Sequence, residues 1–158
     1  MNAKSVFHVI AWLLGVVGLL MGFCGLVSFL YAEPATWALG QSAAGTLFAA
    51  LVLWIPTRNN RELSRRDGLG VVAFGWLFAG IAGAAPYVLS GVIASPVAAL
   101  FETVSGMTTT GASVIPILEG VPKGILLWRA ITHLIGGMGI LVLVVAILPF
   151  AGAGGMQL

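Results

Sequence analysis

Long apolar segments separated by short polar connections make up most of this chain. The first covers residues 6–31 and the second about residues 37–55, which end at Pro56. Each is close to the roughly 20 helical residues that cross the hydrocarbon core of a bilayer. The first is much longer than the apolar region of a signal peptide, so we interpret it as a retained helix. Residues 1–56 are therefore predicted to form a two-helix membrane region.

The next connection, residues 57–69, is short and basic. Its arginines stand against only Glu62 and Asp67. By the positive-inside rule, such a loop between two spans lies in the cytoplasm, and the N-terminus lies on the same side. A regulatory subunit or anionic lipid headgroups could bind the loop, but retention in the cytoplasm already explains it. The arginines are Arg58, Arg61, Arg65 and Arg66.

Two further spans follow, and the aromatic residues support the same topology. Residues 70–89 lead outward, and residues 126–148 return to the cytoplasm and stop at Pro149. Trp and Tyr collect at both membrane–water interfaces, where the ring meets lipid and the polar atom meets water. All of them fit one arrangement, with Trp12, Trp54 and Trp76 toward inner ends and Tyr31, Trp37, Tyr87 and Trp128 toward outer ends.

A short apolar segment, residues 95–108, lies between these last two spans. It has too few residues to cross the bilayer. Ser95 is typical of an N-cap and Pro96 of a first helical turn, and Ser105-Gly106 is expected to loosen the other end. We interpret the segment as a re-entrant pore helix, so residues 70–150 would form a helix–pore-loop–helix unit.

Hydroxyls and a glycine gather directly after this short helix. A cation filter needs backbone carbonyls turned toward an axis, a glycine for the strained backbone, and threonine hydroxyls as further oxygens. The alternative is a polar turn between helices. Non-helical backbone at membrane depth is tolerated only where protein buries it or water lines it, which favours the filter. The predicted ligands are Thr109, Thr110, Gly111 and Ala112, with Ser113 at the outer lip.

Charged and titratable residues near this stretch have supporting roles at most. Glu102 lies about two helical turns before Thr109, so we expect it to face protein behind the filter. An intramembrane carboxylate needs a partner, and Arg129 is the plausible one; independent snorkelling of Arg129 is an equal alternative. His133 could be a proton-linked group, but a hydrogen-bonded packing role is the more common one for a membrane histidine.

Glycines cluster in the first and last spans. In the first, they fall at spacings of three and four, which puts them on one face and predicts a close helix contact. Three more lie in the last span, where they would permit close packing beneath the filter or bending, and we favour packing. These glycines are Gly15, Gly18, Gly22 and Gly25, then Gly136, Gly137 and Gly139.

Composition places the whole chain in a membrane. Of its 158 residues 59% are hydrophobic and 8% charged, with a mean hydropathy of +1.09, so we predict an all-α integral membrane protein. The single cysteine, Cys24, is expected to pack in the apolar interior. Motifs of metalloproteases, serine hydrolases and phosphate-binding loops are missing from the sequence, so we expect neither an enzyme, a cofactor nor a nucleic-acid partner.

The motif around the filter resembles the TrkH potassium-uptake family. The resemblance rests on Phe101-Glu102-x-x-Ser105-Gly106-x-Thr108-Thr109-Thr110-Gly111-Ala112, on Leu127-Trp128-Arg129, and on Ile135-Gly136-Gly137-Met138-Gly139-Ile140. It covers essentially the whole chain, because that family begins with two extra helices before its first pore quadrant. It implies a potassium transporter of the bacterial inner membrane.

The resemblance also implies partners. In the family, four related quadrants of one polypeptide surround a pore, two polypeptides pair, and a cytosolic nucleotide-binding subunit of TrkA type gates them. This sequence has one filter motif, and residues 151–158 look like the start of a truncated linker, so we expect an N-terminal fragment that binds potassium only with other quadrants. The motif is compatible with selectivity for potassium or for sodium. It is also compatible with channel-like flow and with proton- or sodium-coupled symport.

A different class of function stays open beside transport. The chain could be a small non-conducting membrane scaffold or assembly subunit that docks through its glycine-rich helix faces. In that case the threonine run would be only a turn.

Overall fold

The fold is a bundle of helices of very different length. We describe it from a computed structural model that covers residues 3–58 and 65–152, with side chains for residues 3–58 and 67–139. Within these ranges the helices are α1 (Ala3–Leu30), α2 (Ala35–Thr57), α3 (Arg65–Leu89), α4 (Pro96–Met107) and α5 (Lys123–Gly152), and there is no strand. The prediction of an all-α fold is confirmed.

Three of the described helices are long and apolar enough to cross a membrane. They are Ala3–Leu30, Ala35–Thr57 and Asp67–Leu89, so the first three predicted spans are confirmed. Many large apolar side chains on these helices are exposed, as expected when the surrounding solvent is lipid. Examples are Leu19, Phe29, Phe48 and Leu77.

Two boundaries differ from the predictions. Helix α5 continues past Pro149 to Gly152, so the predicted stop at Pro149 is wrong. A proline removes one backbone donor, and a membrane helix continues where its neighbours satisfy the freed carbonyl. The basic connection is shorter than predicted because α3 begins at Arg65. Residues 59–64, which include Arg61 and Glu62, lie outside the described residues.

The glycine face of α1 contacts α2. A Cβ added at Gly18 would stand 2.8 Å from the Leu47 side chain, and one at Gly25 would stand 3.5 Å from Leu39. Gly22 is looser, with Ala43 at 3.9 Å. The helix contact is therefore confirmed for these three glycines, but an added Cβ at Gly15 would meet nothing within 4 Å.

Two aromatic residues assigned to the outer interface lie inside the bundle instead. Trp128 and Tyr87 both have 0% exposure. The indole Nε1 of Trp128 donates to the Gly83 carbonyl at 3.0 Å, which ties α5 to α3. Both residues lie near the helix ends where they were predicted, but they face protein and not lipid. A buried tryptophan still needs a partner for its N–H, and a helix carbonyl supplies it here.

The turn between α1 and α2 holds a carboxylate against the start of α5. The N–H of Glu33 donates to the Ser28 carbonyl at 3.1 Å while Ala32 adopts φ 53°, which closes α1 as a Schellman motif. The Glu33 carboxylate then accepts from the N–H groups of Lys123 at 2.7 Å and Gly124 at 3.0 Å. It thus satisfies two of the four donors that the first turn of a helix leaves open.

Further contacts surround this outer junction. Ser28 Oγ donates to Glu33 at 3.2 Å, and the Lys123 ammonium lies 3.9 Å from the Tyr31 ring centre. Burial alone would raise the pKa of the Glu33 carboxyl. The N–H groups of Gly124 and Lys123, the Ser28 hydroxyl and the charge of Lys123 outweigh it, so the pKa lies below its ordinary value of 4.5.

Replacing Glu33 by Gln should lower the stability of the protein at neutral pH by about 1 kcal/mol, the usual size of a lost helix cap. A carboxyl whose pKa is lowered by folding stabilises the protein in full above its ordinary pKa. That stabilisation disappears as the pH falls through the lower pKa of the folded state. Thermal unfolding of the two proteins in detergent, from about pH 7 to about pH 3, should show the difference shrinking with acidification.

The matched control for this change is Glu119→Gln. Glu119 is an exposed carboxylate in the connection that leads to α5. We expect its neutralisation to leave the melting curve unchanged. Equal effects of the two substitutions would contradict the cap.

Candidate functional site

Helix α4 begins as predicted and ends at the candidate filter. The Ser95 hydroxyl accepts from the Ala98 N–H at 3.4 Å, and Pro96 occupies the first turn, so the predicted start is confirmed. The helix is regular through Met107. Ser105 and Gly106 therefore lie within its last turn, where they make specific contacts, and the expected loosening at these residues is wrong.

The threonine segment, residues 108–114, follows α4 without regular structure. All of its residues are exposed in this chain. Two of them have left-handed backbone, Thr109 with φ 57° and Gly111 with φ 76°. Glycine adopts this conformation without steric cost, whereas a β-branched residue does so only where other contacts hold it. The conformation of Gly111 is the one that the filter hypothesis requires.

Ser105 contacts this segment through both its backbone and its side chain. Its carbonyl accepts from the N–H groups of Thr110 at 3.0 Å and Gly111 at 3.5 Å. Its hydroxyl donates to the Ala112 carbonyl at 2.6 Å. One buried residue of the last helical turn therefore fixes three consecutive residues of the segment. Reasoning from sequence missed this role because a hydrogen bond between a serine and a carbonyl seven positions later leaves no periodic signal.

Glu102 holds the far end of the segment. Its side chain is 1% exposed and accepts from Ser113 Oγ at 3.0 Å and from the Val114 N–H at 2.8 Å. Arg129 Nε lies 2.7 Å from the same carboxylate. Of the two alternatives, the structure contains the ion pair, and Glu102 faces protein behind the segment as expected.

The threonine hydroxyls form a small network of their own. Thr108 Oγ1 and Thr110 Oγ1 lie 2.8 Å apart, and Thr109 Oγ1 donates to the Thr108 carbonyl at 2.7 Å. Among the described residues, no group of three or more His, Cys, Asp or Glu side chains could hold a metal ion. The oxygens available to a cation at this site are therefore backbone carbonyls and hydroxyls.

Helix α5 packs directly against the end of α4. A Cβ at Gly136 would fall on the Met107 carbonyl, and one at Gly106 would fall on the Thr132 hydroxyl. Gly137 is looser, with Thr109 Cγ2 at 3.8 Å. His133 Nδ1 lies 2.9 Å from the Arg129 carbonyl, which agrees with the hydrogen-bonded packing role. Close packing is thus the role of Gly136.

A Gly136→Ala substitution should push α5 away from the end of α4, because the new methyl group cannot avoid the backbone of Met107. Overpacking of this kind costs about 1–3 kcal/mol. The matched variant is Gly137→Ala, which adds the same methyl group one residue later at an ordinary contact distance. Thermal unfolding in detergent should show a lower midpoint for Gly136→Ala alone. A normal midpoint for that variant would contradict the close approach.

The Glu102–Arg129 pair should show energetic coupling in a double-mutant cycle. We expect Glu102→Gln and Arg129→Gln to destabilise singly and the double variant to lose less than the sum, by about 1.5 kcal/mol or more. The physical reason is that each single change leaves the other charge without its partner. Unfolding free energies of the four proteins measure the coupling, and strictly additive losses would show that the two residues act independently.

Comparison with known proteins identifies the family. A family model described as TrkH, a cation transport protein, matches residues 39–158. The Trk system potassium uptake protein TrkH of Vibrio parahaemolyticus is 39% identical over 160 residues, which cover 100% of this chain and 33% of that protein. TrkH of Escherichia coli K12 is 37% identical over 163 residues, with the same coverage.

A solved structure agrees with these relatives. The crystal structure of the potassium transporter TrkH from Vibrio parahaemolyticus superimposes with a TM-score of 0.88 and 38% identity, covering 99% of this chain and 34% of that one. The chain thus spans about a third of the length of the curated relatives that it matches. It is a multi-pass membrane protein that belongs to the TrkH family.

Proposed function

We propose that this chain supplies one quadrant of a potassium-conducting pore, in which Thr109, Thr110, Gly111 and Ala112 line the path of the ion. The observation that carries the proposal is the direction of the peptide groups in the threonine segment. Relatives that match the chain are named potassium uptake proteins, which supports potassium as the transported ion.

The directions of two carbonyls follow from hydrogen bonds already described. In a trans peptide the C=O of one residue points opposite to the N–H of the next. The N–H of Thr110 points to Ser105, so the Thr109 carbonyl points away from α4. The weaker bond from the Gly111 N–H orients the Thr110 carbonyl in the same sense. Both oxygens are therefore directed to the exposed side, where a dehydrated cation would need them.

Helix α4 adds an electrostatic contribution. Its aligned peptide dipoles place a partial negative charge at its C-terminal end, which lies immediately before the threonine segment. A cation near that end is stabilised without any charged side chain as a ligand. The positive charge of Arg129 is neutralised by Glu102 behind the segment, so it adds little repulsion for a cation.

One quadrant presents its oxygens from one side only. A dehydrated ion needs a ring of them, so we propose that other quadrants of a longer chain, or further copies, complete the site. The exposure of residues 108–114 in the single chain agrees with such a missing surface. The proposal includes a dimer of complete chains and a cytosolic TrkA-type nucleotide-binding subunit.

The proposed setting is the bacterial inner membrane. The N-terminus and the basic residues 57–69 would face the cytoplasm, which leaves the Glu33 junction on the outer side. Because α4 and the threonine segment lie between the outer end of α3 and the start of α5, the candidate filter would open outward. The membrane potential then drives a cation inward.

The proposal is tested by replacing Gly111 with Ala in the complete protein. Alanine at φ 76° costs about 1–2 kcal/mol, which corresponds to roughly a tenfold shift between the intact and a distorted segment. Rubidium uptake in a bacterium that lacks its own potassium uptake should therefore fall by about tenfold.

A control with the same backbone strain exists elsewhere in the chain. Gly91 has φ 74°, and an added Cβ there would meet nothing within 4 Å. Gly91→Ala should keep most of the uptake. Loss of uptake in both variants, or in neither, would contradict a filter at Gly111.

A further inference from the structure

We infer that Ser105 is a positioning residue that determines the ion selectivity of the filter, because its hydroxyl holds the Ala112 carbonyl on the side of α4. The inference rests on the proposed transport function and concerns the same site. In this view, a side chain outside the threonine segment controls one of the four predicted carbonyl ligands.

The contacts of Ser105 differ in kind from those of its neighbours. The residue is 5% exposed, and its backbone carbonyl accepts from Thr110 while its hydroxyl donates to Ala112. The bond to Ala112, at 2.6 Å, is at the short end of the range for a hydroxyl donor. Both bonds are made by the same residue, so Thr110 and Ala112 are held at a fixed separation from α4.

The two bonds have opposite effects on carbonyl direction. The bond from Thr110 turns the Thr109 carbonyl away from α4, whereas the bond from Ser105 keeps the Ala112 carbonyl facing α4. An oxygen held in this way offers less of its lone-pair density to an ion. The number and field strength of coordinating carbonyls is one basis on which a filter separates potassium from sodium. The Ser105 hydroxyl therefore sets how many strong oxygens this quadrant presents.

The residues after Ala112 are held independently of Ser105. Ser113 and Val114 are bound to the Glu102 carboxylate at 3.0 Å and 2.8 Å. Gly111 lies directly before Ala112, and a Cβ added there would meet nothing within 4 Å. Removal of the Ser105 hydroxyl thus releases the Ala112 peptide group while the frame on either side stays bound. The released carbonyl can turn toward the ion and adapt to a smaller one, which weakens discrimination against sodium.

The experiment measures rubidium uptake by the complete protein in a potassium-uptake-deficient bacterium, with increasing external sodium. For Ser105→Ala we expect half-inhibition at a roughly two- to tenfold lower sodium concentration, the range that corresponds to one ordinary hydrogen bond. Ser105→Thr keeps the hydroxyl and should restore the sodium response of the unmodified protein.

A matched control removes a similar serine–carbonyl bond within a different helix. Ser42 is 4% exposed, and its hydroxyl donates to the Ala38 carbonyl at 2.7 Å within α2. Ser42→Ala should leave the sodium response unchanged. If Ser105→Ala does not accumulate in the membrane, Ser105→Cys replaces it, because the weaker S–H donor should shift the sodium response in the same direction.

The outcomes separate the inference from the proposed function. An unchanged sodium response in Ser105→Ala and Ser105→Cys, with an active unmodified protein, overturns the role of Ser105 alone. So does a loss of uptake without any change in the sodium concentration for half-inhibition, since that is what a merely structural serine would produce. An unmodified protein that takes up no rubidium overturns the proposed function, and the inference with it.

Discussion

The arrangement of α4, α5 and the threonine segment depends on the interactions of the buried Glu102 carboxylate. A charge removed from water is costly unless opposite charge and hydrogen-bond donors replace the lost hydration. Arg129 supplies the charge, and Ser113 and Val114 supply donors. These partners come from α5 and from the threonine segment, while Glu102 itself comes from α4. Satisfying one carboxylate therefore brings three separate parts of the chain to a single point.

That convergence explains how an irregular backbone is kept in place. Left-handed φ angles such as those of Thr109 and Gly111 persist only where surrounding contacts hold the backbone in that conformation. The start of the segment is bound to the last carbonyls of α4, its middle to Ser105 and its end to Glu102. Gly136 allows α5 to close the space behind Met107. The segment is thus hydrogen-bonded on the protein side and exposed on the other, which is the arrangement that the proposed filter needs.

Sequence patterns predicted the spans well because hydropathy measures length and composition, which are the properties that a bilayer selects. The cap at Ser95 could also be predicted from the sequence, because it follows from a local requirement. The pairing of Glu102 with Arg129 was one of two alternatives, and it follows from an electrostatic requirement. The burial of Trp128 was not predicted because an amphipathic ring suits a lipid interface and a buried carbonyl equally well. Ser105 and Glu33 were missed for another reason. Each binds backbone groups, and nothing in a sequence marks which peptide a side chain will meet.

The Glu33 junction joins residues 90 positions apart along the chain. During synthesis from the N-terminus, α1 and α2 are made long before Lys123. The Glu33 carboxylate between them therefore has no helix to cap at first. Closing so long a loop costs chain entropy that only the finished contacts offset. The bond between Glu33 and the first turn of α5 can therefore form only after α5 has been made, and it joins α5 to the turn between α1 and α2.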